Sequence, residues 1–304
     1  MERSLSILAA LALMLAACGD AGSGDDDSSG DGGGLGDGGG DDDDDDDEFG
    51  GDGGDPAEHC KKVDLVFSVD NSSSMSEEKA ALANDVFPAF ATALLAVGGG
   101  LEDYRVGVMD ACPTPANYHD YGVSGDCNLA SGEVWMSSGD PDLTTEFACV
   151  GNVDSSLSTC SGDNDDEQPA SAAAASMEEP AASGANLGFL RDDALLVVVA
   201  ITDEDEQPTP GPTDAQSVYD RLVAIKGDVK RMVFLGIGGG PGGCPDGGSY
   251  GTADEATTTI ALTNLFIAEE RGVFWNLCVG QLEDGLTEAM EVIEQACDDF
   301  VPIP

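Results

Sequence analysis

The segment Ala194-Leu195-Leu196-Val197-Val198-Val199-Ala200-Ile201 is apolar at every position. A strand with no polar face must be covered on both sides, which is the situation of a central strand in a parallel sheet. The run Val63-Asp64-Leu65-Val66-Phe67-Ser68-Val69 reads as a second buried strand, and Tyr104–Met109 and Arg231–Ile237 as two more. Leu82, Val86, Phe90, Leu94 and Val97 recur every three or four residues. They predict a helix from about Ser76 to Val97, kinked by Pro88 and stopped by Gly98–Gly100. Further helices are predicted from Glu167 to about Ser183 (Ala-rich, broken by Pro180), Thr213 to Ile225, Ala256 to Ala268 and Leu282 to Cys297, with a last strand over Val273–Leu277. Val218, Leu222 and Ile225 mark the inward face of the second of these. Strands alternating with helices predict an α/β fold, doubly wound, with a mostly parallel central sheet and helices on both faces. Residues 110–165 depart from that rhythm, with four cysteines, no sustained period and only short strands around Glu133–Met136. So long an irregular segment is expected to be functional or cross-linked.

Both strongest strands run into acidic turns. After Val69 come Asp70-Asn71-Ser72-Ser73-Ser74, and after Ile201 come Thr202-Asp203-Glu204-Asp205-Glu206. In an extended turn Asp70, Ser72 and Ser74 face one way. One carboxylate and two hydroxyls on one side suit a hard cation such as Mg²⁺, which takes oxygen ligands and keeps waters. Open α/β sheets bind ligands beyond the carboxyl ends of their strands, where both turns fall. The competing reading is a Ser-rich helix start, because Ser74-x-x-Glu77 has the spacing of a capping box.

D-x-S-x-S after a first hydrophobic strand resembles the metal-ion-dependent adhesion site of von Willebrand factor A domains. The resemblance implies a doubly wound α/β domain spanning residues 59–304 that binds a protein ligand through a bound Mg²⁺, or Mn²⁺ or Ca²⁺. It implies that Asp70, Ser72 and Ser74 are metal ligands. Val197-Val198-Val199-Ala200-Ile201-Thr202-Asp203 resembles the family's hydrophobic run ending in T-D, which gives Asp203 the role of the third-loop acid. The family's middle loop supplies a Thr. Here the pattern departs, and Ser155 or Thr159 is the candidate within Cys149–Cys160. Similar bacterial surface lipoproteins carry a Cys-rich segment followed by Glu-Gln, which Glu167-Gln168 resembles. An open coordination position would accept a carboxylate from an acidic side chain of the partner protein, whose identity stays unknown at this point.

Residues 1–18, MERSLSILAALALMLAAC, have a basic start at Arg3 and an apolar core too short to span a bilayer. They read as a signal peptide. Leu15-Ala16-Ala17-Cys18 resembles a bacterial lipobox, which makes Cys18 the lipidated residue, and Gly19 after it favours an outer-membrane lipoprotein, facing the periplasm or exposed on the cell surface. Residues 19–58 hold 15 Gly and 17 Asp or Glu and no Lys or Arg, with seven consecutive aspartates from Asp41 to Asp47. Such a segment has almost no apolar surface to bury and reads as a disordered, extended tether. Residues 59–304 carry 42 acidic against 10 basic residues. That balance excludes nucleic acid, whose phosphates need Lys and Arg.

Eight cysteines remain beyond Cys18, an even number that implies disulfides in an exported domain. Von Willebrand A domains bring their chain ends together, which pairs Cys60 with Cys297. Order and parity then pair Cys112 with Cys127, Cys149 with Cys160 and Cys244 with Cys278. No CxxC spacing supports a zinc site.

Other chemistry is weakly supported. Gly238-x-Gly240-x-x-Gly243 matches a dinucleotide fingerprint but is interrupted by Pro241 and lies late in a chain with 41 glycines. Only His59 and His119 are present, and His119 reads as a surface loop residue. Trp135 and Trp275 read as core. With no positioned base, the expectation is a binding protein with no catalytic residues. The rival functions are a hydrolase using the same metal to activate water, and an inert tether or divalent-cation buffer.

Overall fold

The computed structural model describes residues 61–94, 101, 103–153, 167–206 and 214–300. All of them lie in one compact unit, Asp52–Pro304. In chain order the strands are β1 (Lys62–Val69), β2 (Asp103–Asp110), β3 (Tyr121–Gly122), β4 (Gly125–Asp126), β5 (Met136–Ser137), β6 (Leu195–Ile201), β7 (Met232–Gly238) and β8 (Gly272–Asn276). The helices are α1 (Ser76–Ala81), α2 (Phe87–Leu94), α3 (Leu143–Val150), α4 (Pro169–Ser176), α5 (Ala215–Lys226), α6 (Thr257–Ile267) and α7 (Leu282–Asp298). The central sheet runs β5-β2-β1-β6-β7-β8, and β3 pairs with β4 in a separate ribbon. Within the sheet only β5 is antiparallel to its neighbour. Counting the six sheet strands alone, the order is 3-2-1-4-5-6, that of a doubly wound fold.

The alternation of side chains along β6 explains its composition. Leu195, Val197, Val199 and Ile201 enter one core with Leu65, Phe67, Val69 and the apolar faces of α2, α3 and α7. Leu196, Val198 and Ala200 enter the other, with Val66, Phe234 and the apolar faces of α4, α5 and α6. Successive side chains point to opposite faces, so β6, covered on both, is apolar throughout. The first core centres on Phe67, whose ring meets Phe87, Phe90 and Phe147 edge-on at 5.3, 5.5 and 5.0 Å, while Phe87 and Phe147 stack at 4.2 Å.

The long first helix is divided. A π-helical turn, Leu82–Val86, joins α1 to α2. Pro88, at the second position of α2, has no N–H to return to the turn before it, and the wider π turn absorbs that discontinuity. Leu82, Val86, Phe90 and Leu94 are buried as the periodicity requires. The helix over Thr213–Ile225 begins later, at Ala215. There the Asp214 side chain accepts from the Ser217 N–H at 3.1 Å, and Gly227 closes the far end in the left-handed region at φ 73°.

The irregular segment contains an unforeseen helix, α3, capped by Asp142 accepting from the Thr145 N–H at 3.2 Å. It also corrects the disulfide pairing. Cys127 bonds Cys149, with Cα atoms 5.8 Å apart. The expected Cys112–Cys127 and Cys149–Cys160 staples are therefore not formed. The β3–β4 ribbon packs beside α3, held by the Val123 N–H donating to the Asn152 carbonyl at 3.0 Å. This brings the residue after β4 against the last turn of α3, a contact that neighbours-in-sequence pairing misses. Cys244–Cys278 forms as expected. Cys112 and Cys297 are also disulfide-bonded; Cys60, the expected partner of Cys297, lies outside the described residues.

Phe147→Ala removes the ring that ties α3 to Phe67 and Phe87. It should cost about 3–5 kcal/mol, as large aromatic truncations in cores do, read as a lowered urea midpoint. A change under about 1 kcal/mol would contradict the packing described.

Candidate functional site

The chain leaves β1 toward β2 on one side and returns through β6 on the other. Connections that part in this way open a crevice at the carboxyl ends of the two strands. Asp70 follows β1, and Thr202 and Asp203 follow β6. The two strand ends are stitched together by the Asp70 N–H donating to the Ile201 carbonyl at 2.9 Å.

Asp70 is fully buried. Its Oδ1 accepts from the Ser72 N–H at 2.7 Å, and its Oδ2 accepts from the Thr202 hydroxyl at 2.7 Å. The hydroxyls of Ser72 and Ser74 are 2.8 Å apart, and Ser74 Oγ donates to Asp203 Oδ1 at 3.3 Å. The side-chain oxygens of Ser72, Ser74 and Asp203 thus form one hydrogen-bonded chain, and Asp70 joins it through the Ser72 main-chain N–H. Ser155 and Thr159 lie outside the described residues, as does Cys18.

The capping-box reading of Ser74 and Glu77 fails. Met75 occupies the cap position of α1 and no side chain caps it. Ser74 spends its hydroxyl on Ser72 and Asp203 instead.

The electrostatics are those of crowded negative charge. Burial first, and the neighbouring Asp70 second, push the Asp203 carboxyl up to about 6. Glu78, on α1, is pushed up to about 7 by burial and then by Asp203, Glu77 and Asp70. It is 1% exposed and its Oε2 is buried with no hydrogen-bond partner. One cation serves the loop: Lys79 Nζ donates to the carbonyls of Asn71 at 2.8 Å and Ser72 at 3.0 Å. The sequence reading passed over Glu78, Lys79 and the Thr202 hydroxyl. Only Lys79 carried a signal, as one of ten basic residues in the folded part.

The remaining acids after β6 have separate tasks. Asp205 accepts from the N–H groups of Thr258 and Thr259 and from the Thr258 hydroxyl, at 2.9–3.2 Å, satisfying the start of α6. Glu206 accepts from the Ala170 N–H and, at 2.8 Å, the Ser171 hydroxyl at the start of α4. Of this run, Thr202 and Asp203 join the group around Asp70 and Ser74.

The loop after β7 supports Asp203 from behind. The Asp254 N–H donates to the Asp203 carbonyl at 2.8 Å, and the Cys244 N–H to the Ala253 carbonyl at 2.7 Å. A side chain at Gly239 or Gly240 would collide with the Asp254 carbonyl or with Asn276. These glycines serve close loop packing. His119 is buried, not on the surface: it stacks on Tyr121 at 4.6 Å with Nε2 3.8 Å from Asp110, and burial holds its pKa down. Trp135 is buried and Trp275 half-buried, as core residues should be.

Among the described residues no group of three or more His, Cys, Asp or Glu is placed to hold a metal ion. The donor set here is two carboxylates and two hydroxyls. No helix of the described residues is long and apolar enough to cross a membrane.

No family model matches this chain, and no curated protein matches it. A solved structure, proximal thread matrix protein 1 from the mussel byssus, is similar over 77% of this chain and 48% of its own, at 13% identity and a TM-score of 0.43. The chain therefore spans about half the length of that protein. A likeness of that size fixes neither family nor function.

Glu206 yields a pH dependence. Burial raises its carboxyl from 4.5 to about 7, against hydrogen bonds from Ser171 and Ala170. The folded chain therefore binds this proton more tightly than the unfolded chain. The associated stability is complete below pH 4.5 and is lost as the pH rises through about 7. In Glu206→Gln the urea midpoint should change less between about pH 5 and about pH 8 than in the wild type. Identical pH dependence in the two proteins would refute this assignment.

Proposed function

We propose that this domain binds a hard divalent cation, Mg²⁺ or alternatively Mn²⁺ or Ca²⁺, at Asp70, Ser72, Ser74 and Asp203, and through it an acidic side chain of a partner protein. The observation that carries this reading is Ser74 Oγ, which links the D-x-S-x-S turn to Asp203 across the crevice between β1 and β6. Neighbouring ligands in an octahedral Mg²⁺ shell are about 3 Å apart, given metal–oxygen distances of about 2.1 Å. The Ser72–Ser74 and Ser74–Asp203 separations of 2.8 and 3.3 Å bracket that value. Hydrogen bonds that now join these oxygens can be exchanged for metal bonds with little movement.

The charge argument has the same direction. Asp70 raises the cost of ionising Asp203, and a divalent cation between them would relieve it. When bound, the cation supplies a Lewis-acidic position for an anionic oxygen. The residues of this chain do the rest. Asp70 gives the buried charge, and Thr202 and the Ser72 N–H hold its two oxygens in fixed directions. The hydroxyls of Ser72 and Ser74 are neutral ligands that add no further negative charge to that of Asp70 and Asp203. Among the described residues no histidine stands beside this group, since His119 is stacked on Tyr121 and directed to Asp110. We read the site as one for binding, in the manner of von Willebrand A-type adhesion domains.

The same reading places the protein at a membrane surface as a lipoprotein. Residues 1–18 are its signal peptide, Cys18 its acylated residue and residues 19–58 its spacer. An acidic tether of this composition keeps a domain away from the anionic lipid surface and exposes its ligand face.

Calorimetric titration of the full chain with Mg²⁺ tests the site. Asp70→Ala should abolish the domain's binding, and Ser72→Ala and Asp203→Ala should weaken it. The Asp-rich tether is common to all four proteins and cancels. Unchanged affinity in Asp70→Ala would end the site assignment.

Metabolic labelling with palmitate tests the anchor. Wild type should incorporate label and Cys18→Ser should not. One acyl chain holds a membrane only marginally and several hold firmly, so the variant should appear as unprocessed precursor or as soluble protein. An unlabelled wild type would remove the lipoprotein reading.

A further inference from the structure

Lys79 sits on α1, with its side chain 6% exposed, against the turn that carries Asp70, Ser72 and Ser74. A buried ammonium is tolerated only where its N–H groups find acceptors. Two of the acceptors here are the main-chain carbonyls of Asn71 and Ser72. The Asn71 carbonyl and the Ser72 N–H belong to one planar peptide unit, and in a trans peptide they point in opposite directions. Lys79 holds the carbonyl end of that plane at 2.8 Å, and Asp70 Oδ1 receives the N–H end at 2.7 Å. The Ser72 carbonyl, held at 3.0 Å, belongs to the next peptide plane. The two planes flanking Ser72 are therefore both tied to one ammonium. Together they determine the backbone angles of Ser72, and so the direction of the hydroxyl that meets Ser74 at 2.8 Å.

We infer that Lys79 is a positioning residue of the site: by clamping the carbonyls of Asn71 and Ser72 it sets the orientation of Asp70 and of the Ser72 and Ser74 hydroxyls before a cation arrives. The inference rests on the cation-site reading above. It has a consequence of unusual sign. A positive charge beside a cation site repels the cation, so charge alone requires that removing Lys79 tighten Mg²⁺ binding. Loss of a preorganised ligand set requires that it weaken.

Lys79→Met keeps the length and apolar stem and removes both the charge and the donors. In the full chain, titrated with Mg²⁺, its affinity should fall about tenfold, the scale of a charge-assisted hydrogen bond. Lys79→Arg, which restores charge and donors, should recover most of the loss. Unchanged or tighter binding in Lys79→Met overturns the inference. A readout without metal separates this inference from the site reading: hydrogen exchange of the Ser72 amide in Mg²⁺-free protein. That amide should exchange about tenfold faster in Lys79→Met and return toward the wild-type rate in Lys79→Arg. Equal rates in wild type and Lys79→Met overturn the positioning role. A wild type that binds no Mg²⁺ refutes the site reading, while amide exchange still decides what Lys79 does. If Lys79→Met does not fold, Lys79→Gln is measured in its place under the same two criteria.

Discussion

The parallel pairing of β1 with β6 is the constraint on which the rest of the structure depends. Its register sets Val69 opposite Ile201 and lets the Asp70 N–H close onto the Ile201 carbonyl. A slip of one residue would turn the side chains of β1 to the opposite faces. Phe67 would leave the aromatic cluster it forms with Phe87, Phe90 and Phe147. Asp70 would lose Thr202, and Ser74 would lose Asp203. The same hydrophobic pattern that covers the sheet on both faces thus aligns the two polar turns at its edge. Packing and site geometry are two results of one register.

The site gathers negative charge that the fold does not neutralise. Asp203 and Glu78 are both held above their ordinary ionisation range, first by burial and then by neighbouring carboxylates, Asp70 among them. One other buried carboxylate has a cationic partner, although burial still raises it to about 6. Asp64, also fully buried in β1, receives the Arg191 guanidinium and the Arg191 N–H at 2.7–2.8 Å. Asp205 and Glu206 are spent on the starts of α6 and α4. Within one sheet, then, Asp64 in β1 is paired with arginine, while Asp70 and Asp203, just past the carboxyl ends of β1 and β6, are given hydroxyls. Hydroxyls orient an anion without cancelling it, the arrangement expected where charge is kept for a ligand.

The sheet was legible because its signal is periodic and local. β6 announces itself by eight apolar residues in a row, and α7 by an apolar stripe from Leu282 to Ile293 that is buried as the spacing requires. The ends Asp70 and Asp203 were legible for the same reason: each directly follows a strand. The irregular segment was not. Leu143–Val150 is a short helix with threonines and a glutamate in its first turns, and it is chosen by Phe147 packing against Phe67 and Phe87. Cys149 belongs to that helix, so its bond to Cys127 followed from a contact and not from proximity along the chain. His119 was misplaced on the surface because nothing local signals that Tyr121 and Asp110 would enclose it.

The amino-acid sequence alone determined the class of fold, the strands that carry the site and the residue types at their ends. These follow from hydrophobic periods of two and 3.6 and from what may stand where a strand leaves the core. Tertiary structure alone decided how those residues are used. It converted Ser74 from a helix cap into the link between two loops, recruited the Thr202 hydroxyl to Asp70, and set Lys79 under the carbonyls of Asn71 and Ser72. Ser74 and Asp203 are 129 positions apart. No local pattern encodes a distance across so long a stretch of chain. It is fixed by the order and register of strands, which come from the simultaneous burial of two apolar cores on one sheet.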